Sequence, residues 1–284
     1  MIKTLVEAKR LSNSSIKNNI INYVLTRQNE DGGYCFAQGA LESNGQDTYY
    51  GLAILSQLGS PFPNSEKTLR FLDENRIDSI YSMYYTAKSQ LLLNGEIKAE
   101  LKKDIRSLLD SKKYFGSKAF FSDSSEFVTT LMTLELAELL KIQVSFGEVG
   151  GWILSFENED GGFGPHGQSN IDSTYHAVAS LCLLRKSPKK IAETLRFVRS
   201  CEKPFGGFTI IPMNLMSYIE YTYFGVMVLD LLGEKSRYSS QTMDWVLSCQ
   251  KTTGGFARSD LGIATFIDTF YAIQILQKLG YSWE

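Results

Sequence analysis

The sequence predicts an all-α fold, about six helical hairpins closed into a ring with an inner barrel and an outer layer of helices. Two observations carry this expectation. A Gly-Gly-aromatic turn recurs at Gly32-Gly33-Tyr34, Gly161-Gly162-Phe163, Gly206-Gly207-Phe208 and Gly254-Gly255-Phe256. Each turn separates a helix-compatible run from a threonine-centred apolar run, a unit of roughly 45 residues. Because the unit repeats from end to end, residues 1–284 read as a single domain.

The last unit has the cleanest pattern. Gln241 to Gln250 mixes Met243, Trp245, Val246, Leu247 and Cys249 with polar residues, and Gly254-Gly255 breaks the run. Asp268 to Leu279 is nearly all apolar and ends at Gly280. The first helix is therefore expected to be outer and amphipathic, and the second to be buried all round. The same pairing runs upstream. Ile16 to Gln28 precedes Asp47 to Leu58, Ser65 to Arg76 precedes Met83 to Leu93, and Ala99 to Ser111 precedes Glu126 to Leu140. Val149 to Glu157 then precedes Asp172 to Leu184, and Lys189 to Cys201 precedes Glu220 to Leu232. The second and third pairs lack the full Gly-Gly turn. Elsewhere the glycines are expected at positive φ, with the aromatic plugging the gap between hairpins. Ser60-Pro61-Phe62-Pro63 reads as a rigid turn, and the charged stretch Glu96 to Lys113 as a solvated outer helix.

A net charge of -2 with both signs interspersed gives no footprint for nucleic acid and no polybasic membrane anchor. Cys35, Cys182, Cys201 and Cys249 have neither C-x-x-C spacing nor scaffold density, so reduced, mostly buried thiols are expected. The N-terminal stretch lacks the apolar core of a signal peptide, and no segment reaches membrane-spanning length, which together point to a cytoplasmic protein. No phosphate-cradling loop, dinucleotide fingerprint or serine-hydrolase elbow is present.

The run from Trp245 to Leu279 resembles the repeat of protein prenyltransferase β subunits and of terpenoid cyclases. Phe156 to Leu184, Cys201 to Gly233 and Arg27 to Gly59 are further copies, so the resemblance covers nearly the whole chain. It implies an α/α toroid with an aromatic-lined central cavity that holds an isoprenoid chain. Prenyltransferases of this kind bind zinc through an Asp-x-Cys pair and a His. Those positions fall here on Tyr218 and Glu220, or on Thr265 and Ile267, with Asp268 in place of the His. Zinc activation of a thiolate needs softer, deprotonable ligands, so no metal ligands are assigned and zinc is not expected. Magnesium is expected only if a diphosphate is bound. The basic diphosphate-holding cluster of the transferases is reduced to Arg258 and His166 in the rim loops.

Aligning the inner runs on their threonines brings carboxylates to one level. Asp47 and Asp268 directly precede Thr48 and Thr269, whereas Asp172 and Glu220 stand two before Thr174 and Thr222. Glu126 opens the third inner run. Crowded carboxylates in a partly dry site raise at least one pKa and make a proton donor, so Asp172, Asp47, Asp268 and Glu220 are the candidate catalytic acids. Capping of the helix N-terminus is the competing role for each. Asn170-Ile171-Asp172-Ser173-Thr174 also resembles the D-x-D-D-T-A acid motif of class II terpene cyclases, with Asn and Ser flanking the middle acid. Tyr50, His176, Phe224 and Tyr271 lie one turn further on, where aromatics pack on isoprene units and stabilise cations. With Tyr221 and Arg258 they form the candidate substrate-binding set.

Three functional readings follow from these residues. The first is an isoprenoid-processing enzyme of the prenyltransferase and terpenoid cyclase superfamily without the usual zinc site. The second is an acid-initiated, class II-like cyclase using Asp172. The third is a non-catalytic lipid-binding or protein-interaction toroid. The expected partners are an isoprenoid small molecule and either a helical partner subunit or a second copy of the chain.

Overall fold

The computed structural model describes residues 13–110, 124–142 and 147–283. Among these the regular structure is helical, with only isolated β-bridges. The helices form six consecutive pairs. They are α1 (Asn13–Leu25) with α2 (Gly45–Gln57), α3 (Ser65–Glu74) with α4 (Ile80–Asn94), and α5 (Ala99–Asp110) with α6 (Ser124–Leu139). The remaining pairs are α7 (Gly147–Leu154) with α8 (Ile171–Leu183), α9 (Ile191–Cys201) with α10 (Ile219–Leu231), and α11 (Ser239–Ser248) with α12 (Phe266–Lys278). The even-numbered helices pack in order, and α12 returns to α2, closing an inner barrel. Each odd-numbered helix lies outside its own partner.

Burial separates the two layers as their composition requires. In α12, Phe266, Thr269, Ala272, Ile273, Ile275 and Leu276 are buried, whereas in α11 only Thr242 and Val246 are. The observed helix bounds lie within three residues of those expected from the sequence. Several outer helices stop early for a common reason. Residues past the last turn form a bridge across the Gly-Gly turn, Gln28 with Tyr34, Glu157 with Phe163 and Gln250 with Phe256, and bridge and helix geometry exclude one another. The expected connection after α5 lies outside the described residues.

One hydrogen bond repeats at every Gly-Gly-aromatic turn. The aromatic N–H donates to the threonine of the following inner helix, Tyr34 to Thr48 at 3.0 Å, Phe163 to Thr174 at 3.0 Å, Phe208 to Thr222 at 2.9 Å and Phe256 to Thr269 at 2.9 Å. Each threonine hydroxyl in turn donates to the carbonyl four residues back, such as Thr174 to Asn170 at 2.6 Å. The four aromatics and four threonines are fully buried, so these amides have no water to turn to.

The glycines let the turn touch the next outer helix. A Cβ at Gly161 would lie 2.3 Å from the Thr194 amide nitrogen, and one at Gly254 would lie 2.1 Å from the Asn19 carbonyl oxygen. The second contact joins the last hairpin to the first, and Tyr23 reinforces it with a 3.0 Å hydrogen bond to the Ala264 carbonyl.

Two stability outcomes are expected. Thr269→Val orphans the buried Phe256 amide and should cost about 1–3 kcal/mol in urea denaturation. Gly254→Ala should destabilise clearly more than Gly280→Ala. Both glycines have positive φ, at 99° and 91°, but Gly280 has nothing within 4 Å of its Cβ position. Equal effects would show that the ring-closing contact contributes nothing.

Candidate active site

All six inner helices contribute to a central cavity of about 290 Å³. Its wall is built from aromatic doublets, Tyr49-Tyr50 on α2, Tyr84-Tyr85 on α4, Tyr223-Phe224 on α10 and Phe270-Tyr271 on α12, with Tyr175-His176 in the same place on α8. On α6 the wall is aliphatic, formed by Val128, Leu131 and Met132. The rings lock one another. Tyr175 stacks on Phe224 with centroids 4.9 Å apart, and Tyr223 stacks on Tyr271 at 4.3 Å. The Tyr175 and Tyr223 hydroxyls meet at 3.3 Å. Burial pushes the phenols of Tyr50, Tyr175 and Tyr271 well above their ordinary range, which keeps these faces neutral and π-rich.

At the N-terminal ends of the inner helices the wall becomes polar. Asn170 caps α8 by accepting the Ser173 N–H at 2.8 Å, which leaves Asp172 free to face the cavity. The Asp172 carboxylate lies 2.8 Å from His176 Nδ1, and the same nitrogen lies 2.9 Å from the Asp172 carbonyl oxygen. Glu220, on the neighbouring α10, pairs with Arg258 at 3.3 Å. Arg258 also donates to the Tyr221 hydroxyl at 3.0 Å and lies over the Tyr218 ring at 4.3 Å. The rim loop is fastened here through its backbone, because the Arg258 carbonyl accepts the Ile219 N–H at 2.9 Å. Burial raises the Glu220 carboxyl above its ordinary 4.5; Arg258 opposes the shift and nearby Asp172 and Asp268 add to it.

The structure separates the four acids named from sequence. Asp172 and Glu220 line the cavity. Asp47 and Asp268 do not, and their side chains are taken up locally. Asp47 accepts from the Asn44 side chain at 2.9 Å and from the Phe36 N–H at 3.1 Å, and Asp268 accepts from the Thr265 hydroxyl at 2.7 Å. Burial raises both carboxyls above the ordinary 3.8. Tyr50, His176, Phe224 and Tyr271 all line the cavity, whereas Tyr221 and Arg258 meet on the rim beside Glu220.

Sequence reasoning missed the first member of each doublet, the second member Tyr85 on α4, and the pair Lys88 and Glu135, which also line the cavity. A signal for the doublets was present. Thr48, Thr174, Thr222 and Thr269 are each followed by two aromatic-type residues, and Thr130 by Leu131-Met132. Lys88 and Glu135 fall outside the two positions that follow any of these threonines.

The family model of the prenyltransferase alpha-alpha toroid domain matches residues 1–81, 78–216 and 212–284. The chain belongs to this family. Among solved structures, this toroid is similar to Candida albicans protein geranylgeranyltransferase-I complexed with GGPP, with a TM-score of 0.67 and 16% identity, covering 82% of this chain and 83% of that one. It is also similar to the apo type II terpene cyclase MstE from Scytonema, with a TM-score of 0.60 and 13% identity over 94% of this chain and 96% of that one. Compared with curated protein sequences, the chain has no match. Structural likeness at this identity establishes the shared toroid fold and leaves the chemistry to the residues. No helix among the described residues is long and apolar enough to cross a membrane.

The buried acids set a pH dependence of stability. Because Asp47 and Asp268 hold their protons to higher pH when folded, the native state binds more protons than the unfolded chain just above pH 3.8. Stability should therefore fall as pH rises from about 4 through the folded pKa values and level off above them. Asp268→Asn should shrink the difference between denaturation at pH 4 and pH 7. An unchanged difference would remove Asp268 as its source.

Proposed function

We propose that this toroid is an isoprenoid-processing enzyme that uses carbocation chemistry begun by a rim acid. The supporting observation is the contiguity of Asp172, His176 and Glu220 with a cavity walled by neutral aromatic faces. In this reading a carboxyl proton adds to a prenyl alkene and leaves a cation on the adjacent carbon. The cation is stabilised by the ring quadrupoles, and a proton is finally lost to a rim base. His176, bonded to Asp172, orients that carboxyl and carries protons to and from it. Proton transfer to carbon needs a dry site, and the interlocked rings help exclude water.

Zinc has no part in this reading, because the donor set does not fit it. By the resemblance, Tyr218 and Glu220, or Thr265 and Ile267, with Asp268, stand where the transferases place their ligands. The buried Cys201 and Cys249 thiols are pushed up to about 12 by burial and stay protonated. Magnesium enters only with a diphosphate substrate, for which Arg258 is the rim cation. A cytoplasmic location belongs to the same reading.

The second reading is a toroid that binds lipid without turning it over. The modest cavity favours it, lying at the small end of the range of about 300–1,000 Å³ for ligand pockets. The test is mass spectrometry of protein incubated with geranyl, farnesyl and geranylgeranyl diphosphates, with and without magnesium and zinc. An isomeric product supports acid-initiated cyclisation, released diphosphate supports transfer, and bound but unaltered lipid supports the second reading. Where a product forms, Asp172→Asn should lower turnover by about 10²–10⁴-fold with the melting curve preserved. Retained turnover would take Asp172 out of the mechanism. Sedimentation of the same sample reads whether a second copy associates, the alternative being a helical partner subunit.

A further inference from the structure

The cavity contains a second polar cluster that the rim chemistry does not use. Lys88 on α4 lies 2.8 Å from Glu135 on α6, and Lys88 also reaches the Tyr84 hydroxyl at 2.8 Å. Tyr84 donates to the same Glu135 oxygen, Oε2, at 2.6 Å. Burial alone would lower the Lys88 ammonium, but the charge of Glu135 and contact with Tyr49 outweigh it and hold Lys88 protonated.

The position of this cluster is informative. The inner helices begin at the rim, and Lys88 lies eight residues into α4, about 12 Å below it at 1.5 Å per residue. Lys88 also lines a second, largely apolar pocket toward the far end of the barrel, with Ser56, Gln57, Leu91, Leu92 and Leu139. It therefore stands at the floor of the central cavity, opposite Asp172 and Glu220.

A cavity shaped only for hydrocarbon gains nothing from an ion pair in its floor, since removing both charges from water is costly. The hydrogen-bond inventory shows what the pair still offers. Lys88 has its three donors directed at Glu135, Tyr84 and the Tyr49 ring, 5.5 Å away. Glu135 receives both of its bonds on Oε2, and its Oε1 accepts none among the described residues. The side chain of Glu135 keeps 28% of its surface exposed and lines the cavity. A fixed carboxylate oxygen at the end of an aromatic tube accepts from a hydrogen-bond donor at the ligand's deep end, and on an isoprenoid chain that donor is a hydroxyl.

We propose that Glu135, positioned by Lys88 and Tyr84, is a specificity-determining residue that selects an isoprenoid bearing a hydroxyl group at the end remote from the rim. This rests on the isoprenoid reading of the same cavity. The upstream reaction class it implies is oxidation of a prenyl terminus to an alcohol.

The test is equilibrium dialysis of the whole chain against farnesyl diphosphate and 12-hydroxyfarnesyl diphosphate. The hydroxylated probe should bind about tenfold more tightly, the effect of one hydrogen bond to a charged group. The triple variant Tyr84→Phe/Lys88→Met/Glu135→Leu removes all three polar partners together, leaves no orphaned charge, and should abolish the preference. Glu135→Gln, which keeps the shape and a neutral acceptor, should reduce it part-way. A purely structural ion pair would change the melting temperature of these variants and leave the affinity ratio unmoved. Equal binding of the two probes by the natural chain, or a ratio that survives in the triple variant, overturns this inference alone. Failure of both probes to bind overturns the isoprenoid reading and this inference with it.

Discussion

The hydrogen bond from the aromatic amide of each Gly-Gly turn to the inner-helix threonine is the constraint on which the rest of the toroid depends. Packing an aromatic ring between hairpins drags its backbone N–H into the dry interior, where an unpaired donor costs about 1–3 kcal/mol. The threonine hydroxyl resolves this by accepting from the turn while donating to its own helix, so one small side chain satisfies both strands of the connection. The bond also fixes the rotation of the inner helix relative to the turn. Since Thr174 points outward to Phe163, the next two residues, Tyr175 and His176, are rotated by about 100° and 200° and face the cavity. The cavity wall is thus a consequence of how the turn is held.

The hairpins without that turn break the ring's symmetry, and the break has chemical content. Lacking the amide-to-threonine bond, the wall between α4 and α6 carries the half-buried Lys88 and Glu135 with Tyr84 instead. The same sector supplies the aliphatic part of the lining, Leu131 and Met132, where other helices supply rings. Aromatic faces therefore line every inner helix but α6, and the rim acids Asp172 and Glu220 lie on α8 and α10. The wall near Asp172 and Glu220 presents rings, whereas the opposite floor carries the ion pair of Lys88 and Glu135.

The fold was legible because the repeat makes each hairpin an independent statement of the same rule. Apolar periodicity separated inner from outer helices, and the glycines marked the turns, since a side chain at Gly161 or Gly254 would collide with the neighbouring helix. The helix ends were less legible because bridges such as Glu157 with Phe163 depend on partners across the turn. The floor cluster was not legible at all. Lys88 and Glu135 are 47 residues apart and lie outside the two positions that follow the marker threonines, so only the closed ring brings them together.

The four acids show how a single residue of register divides structural from chemical roles. The helix caps are Asn44, Asn170, Tyr218 and Thr265, each four residues before its threonine. Asp47 and Asp268 stand three residues after their caps, the position from which a side chain reaches back to the cap, and both do so. Asp172 and Glu220 stand two residues after theirs, rotated by about 100°, and that rotation turns them from the cap toward the cavity. The distinction was written in the chain as an acid directly before the threonine or two before it. It acquires meaning only once the threonine is known to point at the turn. Carboxylates that look equivalent in an alignment of repeats therefore divide by their angle about the helix axis, and the pair facing inward lies next to His176 and Arg258, the groups able to exchange protons or hold charge at the mouth.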